Sequence, residues 1–494
     1  MSLPEPFETI SVYARDFWIL FGPGGKLHPA YFLEHKGHLL VEGLLLAVIL
    51  YLFLQNTFKP RASNEEPLTD KEIDTLCKEW QPEPLVPTIK SEDLPVERVV
   101  TSVDGLYAVV DGKRVLNLAS ANFLGLGGTA DMKEVATGTV AKYGVGSCGP
   151  RGFYGTIDVH LELEKQIAEF MECPQCTIFA YDIATVASVI PACGNRKDIM
   201  IADEGCSYPI QQGLTLSRAA VHFFKHNDMQ DLERVLREVE AKEKAEKKPL
   251  CRKLIVVEGI YANTGDIAKL DEIFAIKEKY KYRLLVEETY SFGVLGPHGR
   301  GACEHYGLKA GQVEVICASM SACLGSIGGF VVGETDVVEH QRLAGSGYVF
   351  SASLPPFLAT SAQHALQQLR SQAKALLPRL HGNCAALRSQ IRKIPGLLVA
   401  HDGCENSPVI HVHISRAGSK VIAEAGPHAQ ALVKQIGDVL FQKYNILSAV
   451  PLYSCLDRIR PLPSLRLLVP ATLNEKEIGV ILTSIKGASK EILG

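Results

Sequence analysis

Three stretches of the chain carry residue types and spacings suited to chemistry. Gly144–Gly155 (GVGSCGPRGFYG) holds five glycines in twelve residues, with Arg151 and Tyr154 among them. Glycine lets backbone N–H groups approach a phosphate or a substrate closely, but a tight structural connection has the same composition. Leu284–Gly296 (LLVEETYSFGVLG) puts Glu287 and Glu288 at the end of an apolar run. Ligands of open α/β sheets bind at the carboxyl ends of strands, although two solvated acids would read the same way. Ser319–Gly329 (SMSACLGSIGG) is a small-residue loop after another apolar run. Cys173-Pro-Gln-Cys176 is a lone CxxC without a second pair at zinc spacing, so it reads as incidental and no metal site is expected. Cys148, inside the Gly-rich loop, reads as a packing residue, a shared-site residue or a reactive thiol. His160 reads as a structural residue on a helix, and His226 (FKHND) as a turn residue.

The elements that must position these residues follow from periodicity. Short apolar runs at Leu254–Val257, Leu284–Val286 and Val315–Cys317 alternate with helical patterns. In Asp158–Met171, for example, Val159, Leu163, Ile167 and Phe170 share one face. Such alternation predicts an α/β fold with a mainly parallel sheet covered by helices. Residues 229–253 carry dense mixed charge and predict a solvated helix plus a loop. Past residue 375 the pattern predicts a long helix, a strand at Val409–Ile414, a helix at Ala429–Lys443, a strand at Leu465–Val469 and a terminal helix. That succession is a smaller α+β domain.

The N-terminal part differs. Leu39–Leu54 is apolar apart from Glu42, somewhat short of the ~20 residues that span a bilayer. It predicts one transmembrane helix over about 38–56, with a buried core helix as the other reading. A polar linker follows at Asn56–Pro67, then a helix over 68–80 with a Thr69/Glu72 capping box. Three prolines in Gln81–Pro87 force an extended strap. The expected domains are 1–60 with the anchor, 61–100 with the helix and strap, a large domain at 101–370 and a C-terminal domain at 371–494. Hydrophobic residues at 47% and charged residues at 21% of 494 exclude a disordered or fibrous chain. A net charge of −4 gives no footprint for nucleic acid. Thirteen cysteines, an odd number, argue against a disulfide framework and for a body facing the cytosol.

Further motifs fall in order along the chain: NFLGL at Asn122–Leu126, VEGIYANTGD at Val257–Asp266, YVFSASLPP at Tyr348–Pro356 and a late Arg466. Together with the first three they resemble the α-oxoamine synthase family of pyridoxal-phosphate enzymes, from about residue 100 to 485. The resemblance implies a fold type I PLP-transferase-like architecture: a mainly parallel large domain and a smaller C-terminal α+β domain. WQPEPLVP at Trp80–Pro87, GPRGFYGT at Gly149–Thr156 and FGVLGPHGRG at Phe292–Gly301 resemble one branch of that family. Its members condense L-serine with palmitoyl-CoA to 3-ketodihydrosphingosine, the first step of sphingolipid synthesis.

The departures from the family pattern are as informative. The family's lysine motif resembles T-F-S-K-S-x-G-x-x-G-G. Aligned on Gly325, Gly328 and Gly329, it puts Ala322 at the Schiff-base lysine, and no Lys occurs from residue 310 to 373. The pyridine-binding Asp falls on Glu287, the neighbouring His on Tyr290, and the ring-stacking His on Ser207. The resemblance therefore implies a non-catalytic but required subunit, inactive alone. Its homologous catalytic partner, the long-chain-base subunit 2 of that branch, would hold pyridoxal 5′-phosphate covalently in a heterodimer. Arg151, Tyr154, Ser351, Ala352 and Ser353 would contribute to the partner's site in trans. Asn122 and Arg466 match positions that hold the amino-acid carboxylate. For each of these a structural hydrogen bond or ion pair is the alternative. A pure assembly scaffold with no active-site contribution is the rival function. The branch further implies small membrane activating subunits, Orm-type regulators and a single-pass location in the endoplasmic reticulum membrane.

Overall fold

The computed structural model describes residues 36–54, 68–86, 97–147, 149–247, 249–399, 404–415, 427–453, 456–458 and 461–494. Cys148 and the linker 56–67 lie outside them. Two units form, Met1–Pro95 and Val96–Gly494.

In the first unit a helix covers Lys36–Leu54, with Leu44, Leu46, Leu50 and Phe53 exposed. Among the described residues no helix is long and apolar enough to cross a membrane. The helix covers 36–54, and the last two residues of the expected 38–56 segment lie outside the described ones. The second helix, Asp70–Glu79, starts on the predicted capping box. Thr69 Oγ1 accepts the Glu72 N–H at 3.4 Å, and Glu72 Oε2 accepts the Thr69 N–H at 2.8 Å. Thr69→Ala is expected to speed amide exchange at Ile73 and Leu76 about fivefold, because a lost N-cap frays the first turns.

The second unit opens with an antiparallel meander, β1 (Val100–Asp104), β2 (Tyr107–Val110) and β3 (Lys113–Asn117). Asp111 and Gly112 turn β2 into β3 with φ of 50° and 75°, the paired positive angles of a tight hairpin turn. Next come β4 (Gln175–Phe179), β5 (Ile199–Asp203), β6 (Ala220–Phe224), β7 (Lys253–Glu258), β8 (Arg283–Glu287), β9 (Val315–Ser319) and β10 (Gly329–Gly333). They form one seven-stranded sheet in the order β4-β10-β9-β8-β7-β5-β6. Only β10 runs against the rest, antiparallel to both β4 and β9. The central strands are buried along their length, as apolar runs covered by helices on both faces must be.

The last strands are β11 (Leu397–Val399), β12 (Val409–Ile414), β13 (Ile446–Leu447) and β14 (Leu465–Leu468). β11, β12 and β14 make a small antiparallel sheet, while β13 joins the edge of β3 in parallel. One helix of 36 residues, Pro356–Ile391, runs alongside both regions, and residue 370 lies inside it. The helix predicted at Asp158–Met171 and the strand predicted at Val409–Ile414 form over those residues.

Candidate active site

The carboxyl ends of the central strands gather acids. β7 and β8 are in register so that Glu258 lies beside Glu287, and both are buried. Glu258 accepts the Ser207 N–H at 2.5 Å and the Ala262 N–H at 2.8 Å. Glu287 Oε1 accepts the Thr289 N–H at 3.1 Å and the Thr289 hydroxyl. Burial, and then the adjacent Glu258 charge, push the Glu287 carboxyl well above the ordinary carboxylate range. Burial also raises Glu258. Two neighbouring buried carboxyls each disfavour the other's ionisation. Glu288 turns away, accepts the Ala302 N–H at 3.0 Å and the Ser291 hydroxyl, and burial pushes it up to about 7. The two acids of the motif are therefore interior groups, not solvated ones.

Ala322 sits in the short turn of helix Ser321–Leu324 that follows β9, with its methyl buried. Its carbonyl accepts the Phe123 N–H at 3.0 Å. Tyr290 packs on Phe123 with ring centroids 5.8 Å apart. Asn122 closes its own loop: Oδ1 accepts the Gly127 N–H at 3.1 Å, and Nδ2 donates to the Gly127 carbonyl at 3.4 Å. Gly325 has φ +61° and a Cβ there would lie 2.4 Å from Gly127 Cα. Gly325→Ala is therefore expected to cost about 2 kcal/mol from backbone strain and the clash, read as a fall in melting temperature. Ser207 precedes the helix Tyr208–Ser217 and offers no aromatic face. Arg466, on β14, keeps a buried Nε–H without a hydrogen-bond partner among the described residues.

The Gly-rich loop is zipped to the loop at 351–355. The Ser353 N–H donates to the Gly149 carbonyl at 3.0 Å, and its hydroxyl donates to the carbonyls of Gly149 and Gly155. A Cβ on Gly155 would lie 1.9 Å from the Gly149 oxygen, so glycine is required there. Arg151 points inward. Its guanidinium meets Glu164 twice, at 2.8 and 3.1 Å, and its Nε donates to Thr156 at 3.1 Å. Tyr154 is fully exposed at φ +64°, beside the exposed Phe153. Ala352 is exposed too, while the Ser351 hydroxyl donates to the Gly347 carbonyl at 2.8 Å. His160 is structural: Nδ1 accepts the Ile157 N–H and Nε2 meets the Leu354 carbonyl at 2.6 Å. Cys173 and Cys176 are buried free thiols.

Comparison with known proteins bears on this arrangement. The family model for aminotransferase class I and II matches residues 113–485. The long chain base biosynthesis protein 1c of Oryza sativa subsp. japonica is 42% identical over 493 residues, covering 100% of this chain and 99% of that protein. This chain belongs to the class I and II aminotransferase family, in its long-chain-base protein 1 group. Serine palmitoyltransferase 1 of Dictyostelium discoideum is 40% identical over 462 residues, covering 92% of this chain and 94% of its own. A solved structure of SPT with the pyridoxal-phosphate internal aldimine is 26% identical, with a TM-score of 0.71, covering 80% of this chain and 93% of that one.

The aminotransferase fold of this family is built around pyridoxal phosphate, but the residues here do not fit it. Ala322 offers no amine, Ser207 offers no stacking surface, and the Glu287 carboxylate is tied to Thr289. Sequence reasoning missed the hydrogen bonds that join these strand ends. The Thr289 hydroxyl oxygen accepts the Ser319 N–H at 2.9 Å, and the Ser319 hydroxyl donates to Asp182 Oδ1 at 2.6 Å. A run of hydrogen bonds thus links Glu287, Thr289, Ser319 and Asp182. The available signal was FAYDIATVAS at Phe179–Ser188: an acid placed where a buried strand passes into a helix.

Proposed function

We propose that this chain is the non-catalytic, required subunit of a serine palmitoyltransferase heterodimer. Its catalytic partner, a homologous long-chain-base subunit 2, carries the lysine and the pyridoxal phosphate. The observation that carries this reading is Ala322, a buried methyl at the lysine position within an intact family fold. Exposed Tyr154 and Ala352 support a loop pair turned outward to a partner, with Arg151 and Ser353 holding that pair in place. Arg466 supports a carboxylate-facing role, because its buried Nε–H has no partner among the described residues. The apolar helix Lys36–Leu54 supports a location at the endoplasmic reticulum membrane, where an acyl substrate partitions. Small membrane activating subunits and Orm-type regulators belong to the same proposal.

The test is to purify the chain alone and with its partner and to look for the visible internal-aldimine band. The band is expected only with the partner. A band from the chain alone, reducible by borohydride onto one of its own lysines, overturns the reading. The rival scaffold reading draws on Asn122 and Arg151, both committed to internal bonds. Tyr154→Ala in the complex separates the two. Lost activity with assembly intact supports an in-trans role, and retained activity supports the scaffold.

A further inference from the structure

The helix Asp182–Cys193 begins where β4 ends, so its N-terminus faces the loop that follows β9. A helix N-terminus at the carboxyl edge of an α/β sheet is a natural seat for a phosphate, through its free N–H groups and its dipole. Hydroxyls suited to that seat are present. Ser319 and Ser321 lie three residues and one residue before Ala322, and their oxygens are 2.7 Å apart.

A carboxylate of the chain itself already lies at this edge. The Asp182 carboxylate accepts the Ser319 hydroxyl at 2.6 Å. The Ser321 N–H donates to the Ser319 hydroxyl oxygen at 3.0 Å, which orients that hydroxyl toward Asp182. The Ser319 hydroxyl, a donor that could serve a phosphate, is thus used on an internal carboxylate. A phosphate brought to the same donors would meet a like charge at contact distance in a partly buried site, where repulsion is poorly screened.

We propose that Asp182 is an internal substitute for the cofactor's phosphate, and that it excludes phosphorylated ligands from this chain's own pocket independently of the missing lysine. The inference rests on the reading that this pocket is out of use, but it assigns the exclusion to a second residue. Two defects, at Ala322 and at Asp182, then close the pocket separately. Restoring the amine alone leaves the phosphate seat blocked.

The full-length chain is titrated with pyridoxal 5′-phosphate and with pyridoxal, which lacks the phosphate. Three proteins are compared: wild type, Ala322→Lys, and Ala322→Lys combined with Asp182→Gly. Ala322→Lys is expected to form a weak aldimine with no preference for the phosphorylated aldehyde. Adding Asp182→Gly is expected to raise affinity for pyridoxal phosphate about a hundredfold and to leave pyridoxal unchanged. Equal preference for the phosphorylated form in the single and double variants overturns the proposal. If the proteins carrying Ala322→Lys do not fold, wild type and Asp182→Asn are compared by thermal shift with inorganic phosphate. The asparagine keeps the shape and removes the charge. A phosphate-dependent shift in the variant alone supports the proposal, and equal shifts in both, or none in either, overturn it. An aldimine on the wild-type chain would instead overturn the functional reading, so the two failures are distinguishable.

Discussion

Arg151→Ala is expected to lower the stability of the Val96–Gly494 body by about 3–5 kcal/mol, because it strands the buried Glu164 carboxylate without its main counter-charge. Both side chains are only 5% exposed, and the contact is bidentate. Glu164 also accepts the Thr177 hydroxyl at 3.1 Å and the Ile178 N–H at 3.0 Å, so it ties the Gly-rich loop to β4. Arg342 reaches the same carboxylate at 3.3 Å, but it cannot replace the paired geometry. The measurement is the denaturant midpoint of the purified complex. Arg151→Met with Glu164→Gln removes both charges and is expected to recover most of the loss. A single-variant loss of under about 1 kcal/mol, with activity nonetheless abolished, would show that Arg151 acts on substrate instead of on the fold.

The second large effect concerns His226. Nδ1 meets Asp203 at 2.8 Å and Nε2 meets Asp266 at 2.9 Å. The Tyr261 ring stands edge-on to it at 4.5 Å, and the Tyr261 hydroxyl donates to Asp203 at 3.0 Å. Burial favours the neutral ring, but the hydrogen bonds to Asp203 and Asp266 outweigh it and raise the imidazole to about 10. Because the folded value lies above the unfolded one, the stabilisation is fully present below the unfolded value of about 6.5. It is lost as the pH rises through about 10. Melting temperature is therefore expected to fall steadily from pH 7 to pH 10, with a loss of about 3–4 kcal/mol across the window. His226→Gln, which cannot take up the charge, is expected to start lower and to flatten that slope. A wild-type slope no steeper than the variant's would refute the bridge.

How much of this was legible depends on the range of each interaction. The helix at Asp158–Met171 and the strand at Val409–Ile414 follow from local periodicity, and the structure reproduces both. The reversal of β10 does not, because a strand buried on both faces reads the same in either direction. Ala322 was legible only through the resemblance to the family's lysine motif, aligned on Gly325, Gly328 and Gly329. The inward turn of Arg151 was not, since its partner lies thirteen residues on, on the following helix. His226 looked like a turn residue because Asp203 and Asp266 reach it from other strands' loops. The run from Glu287 to Asp182 needed three separate strand ends brought together.

The parallel pairing of β3 with β13 sets an order of events during synthesis. Leu116 pairs with Ile446, and Arg98 reaches Asp438 at 3.0 Å, so the first meander is completed by residues made near the end of the chain. Until then β1 to β3 remain a three-stranded sheet with an unpaired edge, because so short a meander has little to pack against. The seven strands of the large sheet emerge and can pair first. The body's first residues must therefore wait on the ribosome for its last ones, a long-range closure that slows folding and leaves the nascent N-terminal edge in need of protection.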